Sequence, residues 1–140
     1  MMSNQSHRAV PARIAVLDDD SVFLELMQEL LGVGEGYEVF TCAQWVNSFE
    51  FIKQVQPDLV MLDLMLGREL HGWAVLELLR SAAETSDVPV ILCTAAAPEI
   101  ARPSNRTGVV YMAKPFDIDD LLHTIKRLLT SSQVPATASD

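Results

Sequence analysis

Four short apolar runs in this chain each lead directly into a polar or charged residue. The residues that follow these runs are, in chain order, Asp18 and Asp19, Asp63, Thr94 and Lys114. Between them lie segments long enough to cross back over a sheet, as parallel strands require. In an open parallel α/β sheet the carboxyl ends of the strands line one crevice, where such folds bind ligands. The pattern therefore predicts an α/β fold with its polar strand ends gathered in one site.

The alternation of strand-like and helix-like segments predicts a doubly wound, five-stranded parallel sheet with helices on both faces. The best strand order is the flavodoxin-like 2-1-3-4-5. We expect strands over residues 14–17, 37–41, 59–62, 90–93 and 109–112. We expect helices over about 22–31, 45–55, 73–83 and 118–129, with 95–107 the weakest helical segment because it contains Pro98 and Pro103.

Some local details follow from the same patterns. Ser21 should cap the first helix and Asp117 the last, since both residue types favour that position. The helix over 45–55 should bury Val46, Phe49 and Ile52. The two cysteines form no CxxC pair and are interpreted as small buried hydrophobes.

Length and charge limit the classes of function. A chain of 140 residues predicts one domain, and a net charge of −9 argues against direct binding to nucleic acid or to anionic lipid. No apolar stretch has the roughly 20 residues of a membrane span, and the N-terminus lacks the apolar core of a signal peptide. We therefore expect a cytoplasmic protein whose partners are proteins and cations.

The carboxylates suggest a cation site. Asp18 and Asp19 end the first strand and Asp63 ends the third, and these strands are neighbours in the predicted order. Asp20 adds a further carboxylate beside the first pair. Carboxylates this close repel each other unless a cation lies between them, and hard oxygen ligands favour Mg²⁺, with Mn²⁺ also possible. The three successive aspartates could alternatively form a solvated acidic turn. The presence of Asp63 and Lys114 at other strand ends favours the cation site.

The same residues suit phosphoryl transfer. Asp63 can act as a nucleophile toward phosphorus, giving an acyl phosphate. Such a transfer mainly needs charge neutralisation on the moving group, which a cation and the Lys114 ammonium would supply. Thr94 would offer a hydroxyl to a phosphoryl oxygen.

With these residues assembled, the chain resembles the receiver domain of bacterial two-component response regulators. The motifs that carry the resemblance are IAVLDDD, DLVMLDLML, VPVILCTAA and YMAKPF. The resemblance covers residues 12–130, so we expect 1–11 to be a disordered N-terminal segment and 131–140 a flexible tail or the start of a linker.

The resemblance implies a role for each carboxylate. Asp63 would accept a phosphoryl group from a histidine kinase or a phosphotransfer protein. Asp18 and Asp19 would hold Mg²⁺, with Asp63 and the backbone carbonyl of Met65 as further ligands. Such a domain is not an enzyme in the usual sense, because it catalyses only its own phosphorylation and dephosphorylation.

The resemblance also implies a switch. Thr94 and Lys114 would bind the phosphoryl group, and the Lys114-Pro115 peptide bond would be cis. Tyr111 matches the position of the switch aromatic, which would follow Thr94 inward and remodel a protein-binding face.

The loop after Asp63 and, to a larger extent, the segment 95–107 depart from the family pattern. Gly67 stands where a proline is common, in a loop about one residue longer than usual. Met65 and Ala96, two residues after Asp63 and Thr94, are apolar and cannot hold an attacking water. We therefore predict slow self-dephosphorylation, and loss of the phosphoryl group within seconds in purified protein would refute it. In this family the face that usually transmits the signal includes the helix after the fourth strand. Because the segment 95–107 is irregular, the use of that face is in question here.

Two other functions stay open. The chain could be a docking module with this fold that works without phosphorylation. It could also be a phosphohydrolase with an aspartate nucleophile, although such enzymes place a second Asp where this chain has Met65. A flavin site is disfavoured by the acidic first loop, since a flavin phosphate needs backbone amides and hydroxyls there.

Overall fold

The structure is a computed structural model that describes residues 10–66, 71–95 and 108–133, with only the backbone of 132 and 133. Five parallel strands form one sheet in the order β2-β1-β3-β4-β5, as predicted. The strands are β1 Arg13–Leu17, β2 Glu38–Cys42, β3 Leu59–Leu62, β4 Val90–Thr94 and β5 Val109–Ala113. The described helices are α1 Ser21–Met27, α2 Ser48–Val55, α3 His71–Ser81 and α4 Ile118–Gln133.

The three central strands, β1, β3 and β4, are buried on both faces of the sheet. Burial on both faces requires a nearly continuous run of apolar residues, which each of these strands has. Alternate residues point to opposite faces, which gives two separate cores. On one face Val16, Met61 and Ile91 pack with residues of α1 and α4. On the other face Leu17, Leu62 and Leu92 pack with residues of α2 and α3. The helices cover the two faces of the sheet but not its carboxyl edge, where the ends of the strands can form the site.

The first helix differs from the prediction at both ends. Asp20, not Ser21, is the cap: its Oδ1 accepts hydrogen bonds from the backbone N–H groups of Val22 at 3.0 Å and Phe23 at 3.4 Å. After Met27 the chain continues as a π-helix over Gln28–Gly34 and turns at Gly36, whose φ is 82°. A π-helical turn is uncommon and leaves no clear signature in sequence periodicity.

The starts of α2 and α3 also differ from the predictions. The second helix starts at Ser48 because Asn47 has a left-handed φ of 68°, so Val46 precedes the helix and is 55% exposed instead of buried. The third helix starts at His71, two residues earlier than predicted, and ends at Ser81. A sequence pattern locates helix ends poorly because local caps and tertiary contacts decide them.

The last helix starts as predicted, and the side chain of Asp117 accepts a hydrogen bond from the backbone N–H of Asp119 at 2.8 Å. It continues to Gln133, past the predicted start of the tail at 131. Gly67 and the weakest predicted helix, beyond its first residue, lie outside the described residues. Within the described ranges, no helix has the length and apolar character needed to cross a membrane.

Candidate phosphoryl-acceptor site

The register of the sheet brings the predicted carboxylates together. Leu17 of β1 pairs with Leu62 of β3, so the next residues, Asp18 and Asp63, leave the sheet side by side. The backbone N–H of Asp63 donates to the carbonyl of Leu17 at 3.0 Å and extends this pairing. Asp18, Asp19 and Asp63 each offer a carboxylate oxygen, and these three atoms lie within 4.8 Å of one another.

The cluster is partly closed to solvent. Asp18 is 1% exposed and Asp63 is 7% exposed, whereas Asp19 lies on the surface. Burial raises the pKa of the Asp18 carboxyl above its ordinary value, and the hydrogen bond from Lys114 offsets this only in part. Asp20 is not in the cluster, because its carboxylate caps α1. The site therefore has a buried inner side and one solvent-facing carboxylate.

Each of the two buried carboxylates is oriented by a backbone donor. Oδ1 of Asp18 accepts from the N–H of Asp20 at 2.9 Å, and Oδ1 of Asp63 accepts from the N–H of Met65 at 3.0 Å. The second oxygen of each faces Lys114: its Nζ pairs with Asp18 Oδ2 and lies 3.8 Å from Asp63 Oδ2. The ammonium thus neutralises part of the negative charge of the cluster.

The backbone of β4 and β5 positions Lys114. Thr94 is the last residue of β4 and pairs with Ala113 of β5. The backbone carbonyl of Thr94 accepts a hydrogen bond from the backbone N–H of Lys114 at 2.9 Å. The Thr94 side chain is fully buried at the edge of the sheet where the cluster lies. The Lys114-Pro115 peptide bond is cis, as the resemblance implied. Tyr111 is half-buried in the middle of β5, opposite Leu92.

Sequence reasoning missed two residues of this site. Gly72, near the start of α3, lies so close to the backbone after β3 that an added Cβ would be 2.5 Å from the carbonyl oxygen of Asp63. Phe23 of α1 places its ring 4.2 Å from the ammonium of Lys114. Neither has a local signature, although an aromatic in the first turn after the acidic loop could have suggested the second.

The cysteines lie beside the site without joining it. Cys93 is buried at the end of β4, and burial raises the pKa of its thiol, so it behaves as the predicted small hydrophobe. Cys42 is half-buried at the end of β2, and its Sγ donates to the carbonyl of Gln44 at 3.2 Å.

Comparisons with known proteins agree with this fold. Residues 14–126 match the family of response regulator receiver domains. The DNA-binding dual master transcriptional regulator RpaA of Synechocystis sp. is 32% identical over 129 residues, which make up 90% of this chain and 53% of that protein. The polar-differentiation response regulator DivK of Brucella anthropi is 26% identical over 86% of this chain and 98% of its own length.

A solved structure extends the comparison to three dimensions. The response regulator receiver domain protein (CheY-like) from Methanospirillum hungatei JF-1 superposes with a TM-score of 0.77 at 28% identity, covering 88% of this chain and 97% of that one. The chain belongs to the receiver domains of response regulators, the regulators of two-component signalling. It spans about half the length of the first curated relatives that it matches.

Proposed function

We propose that this receiver domain is a phospho-acceptor in a two-component phosphorelay, with Asp63 as the residue that takes the phosphoryl group. The observation that carries the proposal is the position of Asp63 Oδ2, 3.8 Å from the Lys114 ammonium and beside the carboxylates of Asp18 and Asp19. The donor would be a histidine kinase or a phosphotransfer protein. The response would be a change in a face that binds a further protein.

The chemistry follows from the nucleophile. A carboxylate oxygen of Asp63 attacks the phosphorus of a phosphohistidine, and a new P–O bond forms as the P–N bond to the imidazole breaks. The imidazole nitrogen takes the electron pair and then a proton from solvent. The product is an acyl phosphate on Asp63. Lys114 would neutralise charge on the phosphoryl oxygens, because its Nζ already lies between Asp18 and Asp63.

The donor set fits a divalent cation. Three carboxylate oxygens within 4.8 Å of one another are hard ligands, and two of the residues are buried where repulsion between them is poorly screened. Asp18, Asp19 and Asp63 would hold Mg²⁺, or Mn²⁺, with the backbone carbonyl of Met65 as a further ligand. When bound, the cation would neutralise charge on the transferring group.

The switch we propose uses two residues outside the carboxylate cluster. Thr94 is buried at the end of β4, and Tyr111 is half-buried on the neighbouring strand. A phosphoryl group on Asp63 would attract the Thr94 hydroxyl and favour an inward position of Tyr111. This is a shift between two populations of the same fold, driven by the contacts that the phosphoryl group makes in only one of them.

The test is the intact mass of the protein after incubation with a small-molecule phosphodonor and Mg²⁺. We expect one added phosphoryl group on the wild type and none on Asp63→Asn or in EDTA. Asp58→Asn is the matched control and should be phosphorylated normally, because Asp58 precedes β3 at the opposite edge of the sheet. A wild type without an adduct under any condition would contradict the proposal and favour the phosphorylation-independent docking module.

The lifetime of the adduct is a further expectation. Met65 directs its backbone N–H at Asp63 and carries an apolar, partly exposed side chain that cannot hold an attacking water. Ala96, the second position of this prediction, lies outside the described residues. We expect Met65→Asn to shorten the half-life of the adduct measured after removal of the donor, and an unchanged half-life would contradict this reason for slow loss.

A further inference from the structure

One side of the Lys114 ammonium faces an aromatic ring. Its Nζ lies 4.2 Å from the centre of the Phe23 ring, while Asp18 and Asp63 face it from the carboxylate cluster. This distance is well inside the range in which a cation is attracted to the face of a ring. Because the ammonium is largely withdrawn from solvent, water weakens that attraction less than at an exposed site.

A second aromatic residue holds the Phe23 ring in place. Phe116 meets it edge to face, with ring centres 6.0 Å apart and an angle of 83° between the planes. Phe116 follows Lys114 by two residues, so the loop that supplies the ammonium also supplies the side chain that holds the ring. Phe23 also packs against the core, so its ring is supported on more than one side while its face lies toward the ammonium.

A cavity of about 350 Å³ adjoins this group. Phe23, Leu26, Lys114, Pro115 and Phe116 contribute to its lining. Removal of the ring would enlarge the open space beside the flexible side chain of Lys114. The ring therefore limits where the ammonium can go.

From these contacts we propose that Phe23 is a positioning residue for Lys114, holding the ammonium by a cation–π contact where a phosphoryl group on Asp63 would meet it. This inference rests on the proposed function, because it assigns a role within the same reaction. Phe23 acts through Lys114 and does not itself contact the reacting atoms.

The test measures the rate of phosphorylation by a small-molecule phosphodonor at saturating Mg²⁺. We expect Phe23→Leu to slow the reaction about three- to tenfold and Phe23→Tyr to stay within about twofold of the wild type, since tyrosine keeps the ring face. Phe49→Leu is the matched control: it removes a ring 4.9 Å from the Lys53 ammonium, and Phe49 packs on the other face of the sheet from Phe23. It should leave the rate unchanged.

A graded series separates the cation–π contact from simple packing. Phenylalanine carrying one, two or three fluorines, placed at position 23 alone, keeps the shape of the ring while weakening the negative potential of its face. The rate should fall with each fluorine. Equal rates across this series would overturn the proposal and leave Phe23 as a packing residue.

A second readout does not depend on the reaction. In metal-free protein the Phe23 ring current should move the NMR signals of the Lys114 Cε protons upfield, and Phe23→Leu should abolish this shift. Absence of the shift in the wild type would overturn the cation–π contact itself. If the wild type takes no phosphoryl group, the proposed function fails, whereas a normal wild type with an unaffected Phe23→Leu variant contradicts only the role of Phe23.

Discussion

The two edges of the sheet use charged residues in opposite ways. At the amino edge, where the strands begin, Arg13 and Arg80 donate to the backbone carbonyls of Val55 and Val88, at 2.9 and 2.8 Å. Asp58 accepts the backbone N–H of Arg13 at 2.8 Å. At the carboxyl edge, three aspartates and Lys114 face each other instead. Charges bonded to backbone stabilise a fold, whereas carboxylates directed at one another require a cation or a ligand.

The largest effect should come from the ammonium at the carboxyl edge. We expect Lys114→Ala to slow phosphorylation by a small-molecule donor roughly 100-fold, a loss typical of removing one group that stabilises developing charge. Lys126→Ala is the control, because Lys126 is largely exposed and lies 3.9 Å from Glu35, away from the cluster. Equal rates for Lys114→Ala and the wild type would show that the ammonium takes no part in the transfer.

The second effect concerns the support of Asp63. In Gly72→Ala the new Cβ would lie 2.5 Å from the Asp63 carbonyl oxygen and 2.6 Å from Leu64 Cα, so the backbone must move. We expect a loss of about 2 kcal/mol in the free energy of unfolding, measured by urea denaturation, together with slower phosphorylation. Gly34→Ala should change stability by less than about 0.5 kcal/mol, because its nearest atom, Glu29 O, lies 3.5 Å away. Similar stabilities for the two variants would contradict the close packing at Gly72.

The third prediction removes a charge from the amino edge. Arg80 binds the carbonyl oxygens of Val88 and Gly108, at 2.8 and 3.4 Å. Arg80→Met should lower the free energy of unfolding by about 1–2 kcal/mol, because the Val88 carbonyl loses its guanidinium donor and the Gly108 carbonyl keeps only the backbone N–H of Val90. The phosphorylation rate of the folded variant should equal that of the wild type. If the fully folded Arg80→Met variant were phosphorylated more slowly than the wild type, the proposed division between a structural edge and a functional edge would be wrong.

The smallest effect is a gain in stability. Burial raises the pKa of Asp18 above its ordinary value of 3.8, so the folded state holds the Asp18 proton more tightly than the unfolded chain does. The stability that this carboxyl contributes is therefore fully present below pH 3.8 and is lost as the pH rises through the raised pKa of the folded state. At neutral pH the ionised carboxylate costs stability.

Asp18→Asn keeps the shape of the neutral acid and removes this cost. We expect the variant to raise the Tm of metal-free protein at pH 7 by a few degrees, as measured by thermal unfolding. The difference from the wild type should shrink as the pH falls toward 4. A lower Tm for the variant at pH 7 would mean that the pair with Lys114 outweighs the burial of the charge.

Much of the fold could be predicted from local patterns. The strand Leu59–Leu62 was predicted at its exact bounds, because a strand buried on both faces is a continuous apolar run with sharp ends. The strand order was predicted because crossover lengths and parallel pairing leave few topologies. The gathering of Asp18, Asp19, Asp63 and Lys114 followed from that order, since strand ends at one edge share a crevice.

What the sequence did not reveal depends on contacts between distant segments. The start of α3 is fixed by Gly72 packing on the backbone after β3, and the cap at Asp20 removes one carboxylate from the cluster. The contact between Phe23 and Lys114 joins residues from opposite ends of the chain. Neither periodicity nor propensity reports such contacts, because both describe only neighbours along the sequence.

The most direct test of the functional edge identifies the residue that carries the phosphoryl group. Borohydride reduces an acyl phosphate, but not a free carboxylate, to an alcohol, so a phosphorylated aspartate becomes homoserine and can be located by peptide mass mapping. We predict homoserine at position 63 after incubation with phosphodonor and Mg²⁺, and unchanged aspartate at positions 18, 19, 20 and 58. Homoserine at any of these four positions, or at none of the five, would contradict Asp63 as the phosphoryl acceptor.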